Sequence, residues 1–204
     1  MPPRLLRCEG IVLGRNLSGE HHWRVDVLSP DEGPVRTLAR RPSAKRFQSP
    51  PPDLFDRVTL ELEQSARGKT LFIKEVHSES PFAAIGQNYT TLVEAAGFAG
   101  TLWKNLSHAE HFEELYDLAE RSLAAFARIL RPEVTHFKSL YLFARAEGYP
   151  VKEHMLAGWP ADDRRLAQRL LAEPLEGDQP PVDEAKRLLE RLQHYIAAYT
   201  DILI

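Results

Sequence analysis

The first 80 residues of the chain alternate between apolar and polar positions in short stretches, the pattern of half-buried β-strands. Pro30 and Gly33 fall between two of these stretches, where they favour a turn. The pattern predicts strands over residues 10–13, 23–28, 35–39, 58–63 and 71–76. Five short strands separated by turns predict a small closed barrel, because closure removes the exposed edges of a sheet.

Beyond Pro81 the apolar residues recur at helical spacing. A Ser107–Glu110 capping box predicts a helix that continues to just before Pro132, and Asp183 is expected to cap the last helix. Further helices are predicted over residues 92–103, 137–144 and 164–171. In the last helix the side chains expected to face inward are Leu188, Leu189, Leu192, Tyr195, Ile196 and Tyr199.

Together these patterns predict an α+β protein with two domains. Residues 1–80 form a five-stranded barrel, and residues 81–204 form an all-helical domain. A five-stranded barrel of this size is most often an oligonucleotide-binding (OB) fold, although the pattern alone leaves an SH3-like barrel open.

Composition narrows the possible chemistry of the 204 residues. The single cysteine, Cys8, excludes an internal disulfide and any zinc site that needs two or more cysteines. We find no signal-peptide pattern and no apolar stretch long enough for a membrane span, so we expect a cytoplasmic protein without membrane contact. Because no phosphate-binding glycine loop or converging acid–base pair is visible, we expect neither an enzyme nor a bound cofactor or metal.

Charge is distributed unevenly along the chain. The whole protein carries −3, whereas residues 1–80 have 13 Lys/Arg against 11 Asp/Glu and residues 81–204 have 13 against 18. Between Arg36 and Pro52 there is no acidic residue, and five basic ones occur: Arg36, Arg40, Arg41, Lys45 and Arg46. Phe47 follows directly, so cations that neutralise phosphates stand next to a ring that can stack on a base.

Two interpretations of this basic segment remain open from the residues alone. It is either a nucleic-acid contact or a solvated loop that keeps the protein soluble. Arg15, Arg24 and Trp23 extend the basic patch across the sheet if the indole is exposed. Alternation equally places Trp23 in the core, where large aromatic side chains are usually found.

The order of these signals resembles the RecO family of bacterial recombination-repair proteins. The most specific match is the loop with Leu38-Ala-Arg-Arg41 followed by Lys45-Arg-Phe47. The other matching segments are residues 9–13, 18–20, 28–33, 54–55, 58–63, 71–76 and 141–150. Many RecO proteins carry a four-cysteine zinc module after the last of these segments, but residues 151–160 contain no cysteine, so we expect no zinc.

The resemblance implies an OB-fold followed by a helical domain. It also implies a protein that binds single- and double-stranded DNA, anneals complementary strands, and works with RecR and single-stranded-DNA-binding protein to load RecA. Carried onto this sequence, it nominates Arg40, Arg41, Lys45 and Arg46 as DNA contacts, with Arg36 added by proximity. The alternative hypothesis is an interaction scaffold that binds DNA only weakly, which the net negative charge favours.

Overall fold

The structure is a computed structural model, and it describes residues 5–41, 50–65, 68–128, 131–177 and 179–204. Within these ranges five strands precede six α-helices. The predicted α+β class is therefore confirmed, and so is the order of a sheet followed by helices.

The strands coincide with the stretches of alternating sequence and extend beyond most of them. They are β1 (Leu5–Ser18), β2 (His22–Ser29), β3 (Gly33–Arg40), β4 (Arg57–Gln64) and β5 (Leu71–Glu79). The largest difference is in β1, which has 14 residues where the pattern predicts four. Because of this length, β1 can pair with two neighbours at once.

The hydrogen-bonded order is β1-β2-β3-β5-β4, and β4 pairs back with β1, so the sheet closes as a barrel. The ladder between β3 and β5 is parallel and short, with Thr37 opposite Leu71 and Leu38 opposite Phe72. The other four ladders are antiparallel. Gly10 of β1 lies where a Cβ atom would come within 2.3 Å of the Leu28 carbonyl oxygen, so a side chain has no room there.

Alternate residues of the strands fill the interior of the barrel. The buried cluster consists of Cys8, Val12, Val25, Val27, Ala39, Val58, Leu60 and Leu62. Residues between them point to the opposite side of the sheet, because successive side chains in a strand alternate in direction. The same alternation determines which of the arginines share a face.

The helices are α1 (Tyr89–Asn105), α2 (Phe112–Arg128), α3 (Pro132–Ala146), α4 (Val151–His154), α5 (Ala161–Ala172) and α6 (Val182–Tyr199). Short 3-10 segments occur at Ala83–Gln87, Leu106–His108 and Leu156–Gly158. Tertiary contacts divide the chain into two compact units. The first comprises Met1–Ala83 with Leu106–Asp117, and the second comprises Ala84–Asn105 with Leu118–Ile204. Leu106–Asp117, which the sequence assigns to the helical part, thus groups with the strands.

Three details of the helix prediction are wrong. Ser107 lies in a 3-10 turn and α2 begins only at Phe112, so the predicted capping box does not start that helix. Asp183 falls inside the first turn of α6, whose N-cap residue is Pro181. Tyr199 is 73% exposed at the end of α6, whereas Leu188, Leu189, Leu192 and Ile196 are buried as expected.

Candidate nucleic-acid interface

Three of the predicted arginines share the outer side of the sheet. In the β2–β3 ladder His22 lies opposite Arg40, Arg24 opposite Leu38, and Asp26 opposite Arg36. All six side chains therefore point away from the core cluster, since paired residues of neighbouring strands lie on the same side. We call the set Arg24, Arg36, Arg40 and Asp26 the arginine face.

Asp26 is the carboxylate at the centre of the arginine face. Its side chain is only 3% exposed, and one oxygen accepts a hydrogen bond from Arg36 Nε at 2.7 Å. The other oxygen lies 3.4 Å from Arg24 Nε, which is an ion pair. A buried carboxylate is tolerated when cations pair with it, and this one orients two guanidinium groups.

The arginine face keeps an excess of positive charge. The Arg24 and Arg36 side chains are 41% and 56% exposed although both contact Asp26. Arg40, two residues beyond Leu38 on the same side of β3, is also exposed. Three cations against one carboxylate leave a net positive surface, and such a surface attracts polyanions.

A second group of cations, Arg15 and Arg41, contacts Trp23, whose side chain lies on the other side of the sheet. The guanidinium carbon of Arg15 lies 4.3 Å from the indole ring centre, and that of Arg41 lies 5.9 Å from it. Both distances are within the range of cation–π attraction. Arg15 also forms an ion pair with Asp53 at 2.8 Å, and Arg41 donates to the Glu20 carbonyl oxygen at 3.1 Å.

The environment of Trp23 combines both sequence interpretations. The indole is partly buried and packs against the core cluster, while the two arginines contact it. Trp23 therefore acts as a core residue and as a support for Arg15 and Arg41.

The predicted DNA contacts divide into three groups. Arg24, Arg36 and Arg40 lie together on the arginine face, and Arg15 and Arg41 meet at Trp23. Lys45, Arg46 and Phe47, the last part of the basic loop, lie outside the residues that the structure describes. Three of the five described arginines are also paired with carboxylates, which the sequence did not predict.

Sequence reasoning did not identify the aromatic pair next to the arginine face. The His22 and Phe72 rings are 5.7 Å apart between centres and inclined at 61°, an edge-to-face contact. Phe72 stands between the inward-facing Leu71 and Ile73, at a position where the alternation calls for a polar residue. A phenylalanine on the polar side of a strand is the signal that could have identified this pair.

A cleft of about 750 Å³ in the second unit was also missed. Its charged lining consists of three cations, Lys138, Arg145 and Lys152, and one carboxylate, Glu153, and its apolar walls include Leu142 and Leu156. Burial lowers the pKa of Lys138, although Glu176 and Glu173 partly oppose this effect. We call this feature the helical cleft. Its mixture of cations and apolar wall suits an acidic peptide with a hydrophobic end.

Searches for related proteins match no family model to the chain and find no similar curated protein. In the described ranges, no helix is long and apolar enough to cross a bilayer. Among the same residues, no group of three or more His, Cys, Asp or Glu side chains is placed to hold a metal ion.

Proposed function

We propose that this protein is a DNA-binding mediator of recombinational repair of the RecO type, and that its barrel is an OB-fold. The closed strand order β1-β2-β3-β5-β4, with a long first strand that pairs on both sides, supports the OB assignment. The resemblance of the sequence to RecO proteins supports the repair role.

The observation that carries the proposal is the excess of cations on the arginine face. Arg24, Arg36 and Arg40 bind successive phosphates of a single strand and release the counterions condensed on it. Asp26 keeps two of the guanidinium groups in place before DNA arrives, which reduces the entropy lost on binding. Binding is independent of base sequence, because phosphate contacts carry no sequence information.

Strand annealing follows from the same electrostatics. Two complementary strands repel each other through their phosphates, and cations that neutralise part of this charge lower the repulsion at the moment of pairing. Double-stranded DNA binds through the same phosphate contacts.

The second half of the chain is the partner-binding part of the proposal. Its 13 Lys/Arg and 18 Asp/Glu make it acidic, so it repels DNA and suits protein partners such as RecR. The helical cleft takes the acidic, phenylalanine-ended tail of single-stranded-DNA-binding protein. Arg145 and Lys152 bind the carboxylates of the tail, and the apolar wall takes its terminal ring.

A salt titration of DNA binding tests the proposal. We expect the affinity for a labelled oligothymidylate of about 20 nucleotides to fall steeply between about 50 and about 200 mM salt, as measured by fluorescence anisotropy. About four neutralised phosphates on a single strand give a slope of log K against log salt near −3. The variant Arg24→Gln/Arg36→Gln/Arg40→Gln/Asp26→Asn should reduce the slope by about 2, and it leaves no unpaired charge at position 26.

The matched control removes three cations and one carboxylate from the helical unit, with Arg128→Gln/Arg165→Gln/Arg169→Gln/Asp162→Asn. This control changes the net charge by the same amount as the arginine-face variant, and we expect it to keep the wild-type slope of log K against log salt. If both variants keep the wild-type slope, or if the wild-type protein binds DNA without salt dependence, the mediator assignment is wrong. The interaction scaffold is then the better description.

A further inference from the structure

The His22–Phe72 pair lies on the same side of the sheet as the arginine face. Phe72 is opposite Leu38 in the β3–β5 ladder, and Leu38 is opposite Arg24 in the β2–β3 ladder. His22 is opposite Arg40. The two rings therefore lie on the side of the sheet that carries Arg24 and Arg40, and Glu63 of β4 lies opposite Phe72 on that side.

Both rings are only half-buried. At 61° between their planes they meet edge to face, an arrangement that leaves at least one ring face without a partner ring in the pair. An aromatic face that reaches solvent beside phosphate-binding arginines is the combination found in proteins that hold single strands.

Phe72 is one of the residues that line a cleft of about 710 Å³. Its apolar lining includes Leu38 and the prolines Pro50, Pro51 and Pro52. Its charged lining is balanced, with the cations Arg40 and Lys74 and the carboxylates Glu63 and Glu75, and Lys74 forms an ion pair with Glu63. A cleft with this balance does not favour a phosphate, whereas its apolar walls and aromatic edge suit an uncharged planar group such as a nucleobase.

We propose that His22 and Phe72 form a base-stacking platform, and that this platform makes the protein prefer single-stranded DNA over duplex. The inference rests on the proposed DNA-binding function, and it identifies the base as the part of the ligand that the platform recognises. In a duplex the bases are paired and stacked on each other, so their faces cannot reach a side chain on the sheet. In a single strand, the phosphates contact the arginine face while one base unstacks from its neighbours and stacks on Phe72.

The test compares an oligothymidylate with an oligonucleotide of the same length whose central nucleotides are abasic. Both ligands carry the same phosphates, so a difference in affinity reports contacts to the bases, and the variants of Phe72 and His22 assign those contacts to the platform. We expect the wild-type protein to bind the oligothymidylate about tenfold more tightly than the abasic strand, and Phe72→Leu to remove most of this difference. Affinity for the abasic strand should stay the same, and Phe72→Trp should restore the preference.

The matched control is Phe112→Leu, which shortens another half-buried phenylalanine of the same unit. Phe112 lies against Gly33, at the opposite end of β3 from Leu38. His22→Ala gives a second test that removes the other ring of the platform and leaves Phe72 itself in place. If the protein binds both strands tightly and equally, or if Phe72→Leu and His22→Ala weaken both ligands alike, the platform is wrong while the DNA-binding function stands. If neither strand binds with salt dependence, both are wrong.

Discussion

Asp26 determines how the arginine face is built. It is one of the few charged residues buried in the barrel unit, and Arg24 and Arg36 both contact it. The carboxylate positions the two guanidinium groups. In the proposed function it also competes with phosphate for them, and we expect this competition to outweigh the benefit of holding them in place.

Replacing Asp26 with asparagine should separate the two effects. Asp26→Asn keeps the shape of the side chain but loses its charge, so we expect the free energy of unfolding to fall by about 1–3 kcal/mol. The affinity for single-stranded DNA at low salt should rise, because no carboxylate then competes for Arg24 and Arg36. Urea denaturation and fluorescence anisotropy measure the two changes.

The control for this prediction is Glu9→Gln, which changes the net charge by the same amount. Glu9 is exposed and pairs with the exposed Arg7 at 2.7 Å, so its loss should change stability by less than about 1 kcal/mol. Equal effects of the two substitutions on both stability and affinity would contradict a special role for Asp26.

Cys8 gives the barrel core a defined dependence on pH. The side chain is 4% exposed, and burial raises the pKa of the thiol from 9.0 to about 11. Between these two values the unfolded chain releases the proton while the folded protein keeps it. The free energy of unfolding should therefore fall as the pH rises from 9 to 11, and Cys8 should not contribute to any change below pH 9.

At pH 10.5 this contribution should amount to about 2 kcal/mol relative to pH 8. Urea denaturation of the wild-type protein and of Cys8→Ala at both pH values isolates it, because alanine does not titrate. The variant is less stable at both pH values, since it leaves a small cavity, but it should lose less stability between them. An identical loss in the two proteins would show that the thiol is not buried as described.

At the scale of the elements, β1 closes the barrel because it pairs with β2 and with β4. Gly10 lies within the part of β1 that pairs with β4, and a Cβ atom there would come within 2.3 Å of the Leu28 carbonyl oxygen in β2. A side chain at this position would push the two strands apart.

Gly10→Ala should therefore destabilise the protein by about 1–3 kcal/mol, the usual cost of overpacking a well-packed interior. The matched control is Gly100→Ala in α1, where a Cβ atom meets nothing within 4 Å. In a helix this change should be neutral or stabilising, because alanine has the higher helix propensity. Thermal denaturation of both variants measures the difference, and equal effects would mean that β1 tolerates a side chain at position 10.

Local pattern predicted the elements better than it predicted their ends. All five strands and the longer helices were found, because a repeat of two or of 3.6 residues is visible within a single element. The start of α2 was missed because Ser107 to Glu110 has the capping-box sequence but lies in a 3-10 turn and the residues after it. Capping residues stabilise a helix start by only about 1 kcal/mol, so tertiary packing overrides them readily.

For the whole molecule, the distribution of charge separates two kinds of surface. The arginine face belongs to the first unit, and the helical cleft belongs to the second. Both use cations, but the first presents them on the outer surface of the barrel and the second presents them beside an apolar wall.

The two proposed binding activities should therefore be separable. Arg145→Gln/Lys152→Gln should weaken the binding of an acidic, phenylalanine-ended peptide at least tenfold and leave DNA affinity unchanged, since each lost charge-assisted contact costs about 1.5–3 kcal/mol. The arginine-face variant should do the reverse. Anisotropy titrations with the peptide and with DNA measure the two affinities. A helical-cleft variant that loses DNA binding would contradict the separation.

The sequence alone was enough to predict five strands followed by helices and to reveal the basic segment that begins at Arg36, since each depends on residues close together in the chain. The burial of Cys8 followed only from the folded barrel. The arrangement of the arginines depends instead on pairing between strands. Asp26 contacts Arg36 through the β2–β3 register, and Phe72 reaches His22 from a strand that closes the barrel on the far side of β3. Alternation predicts which residues of one strand share a side, but the partner across the ladder follows from the register and closure of the folded sheet.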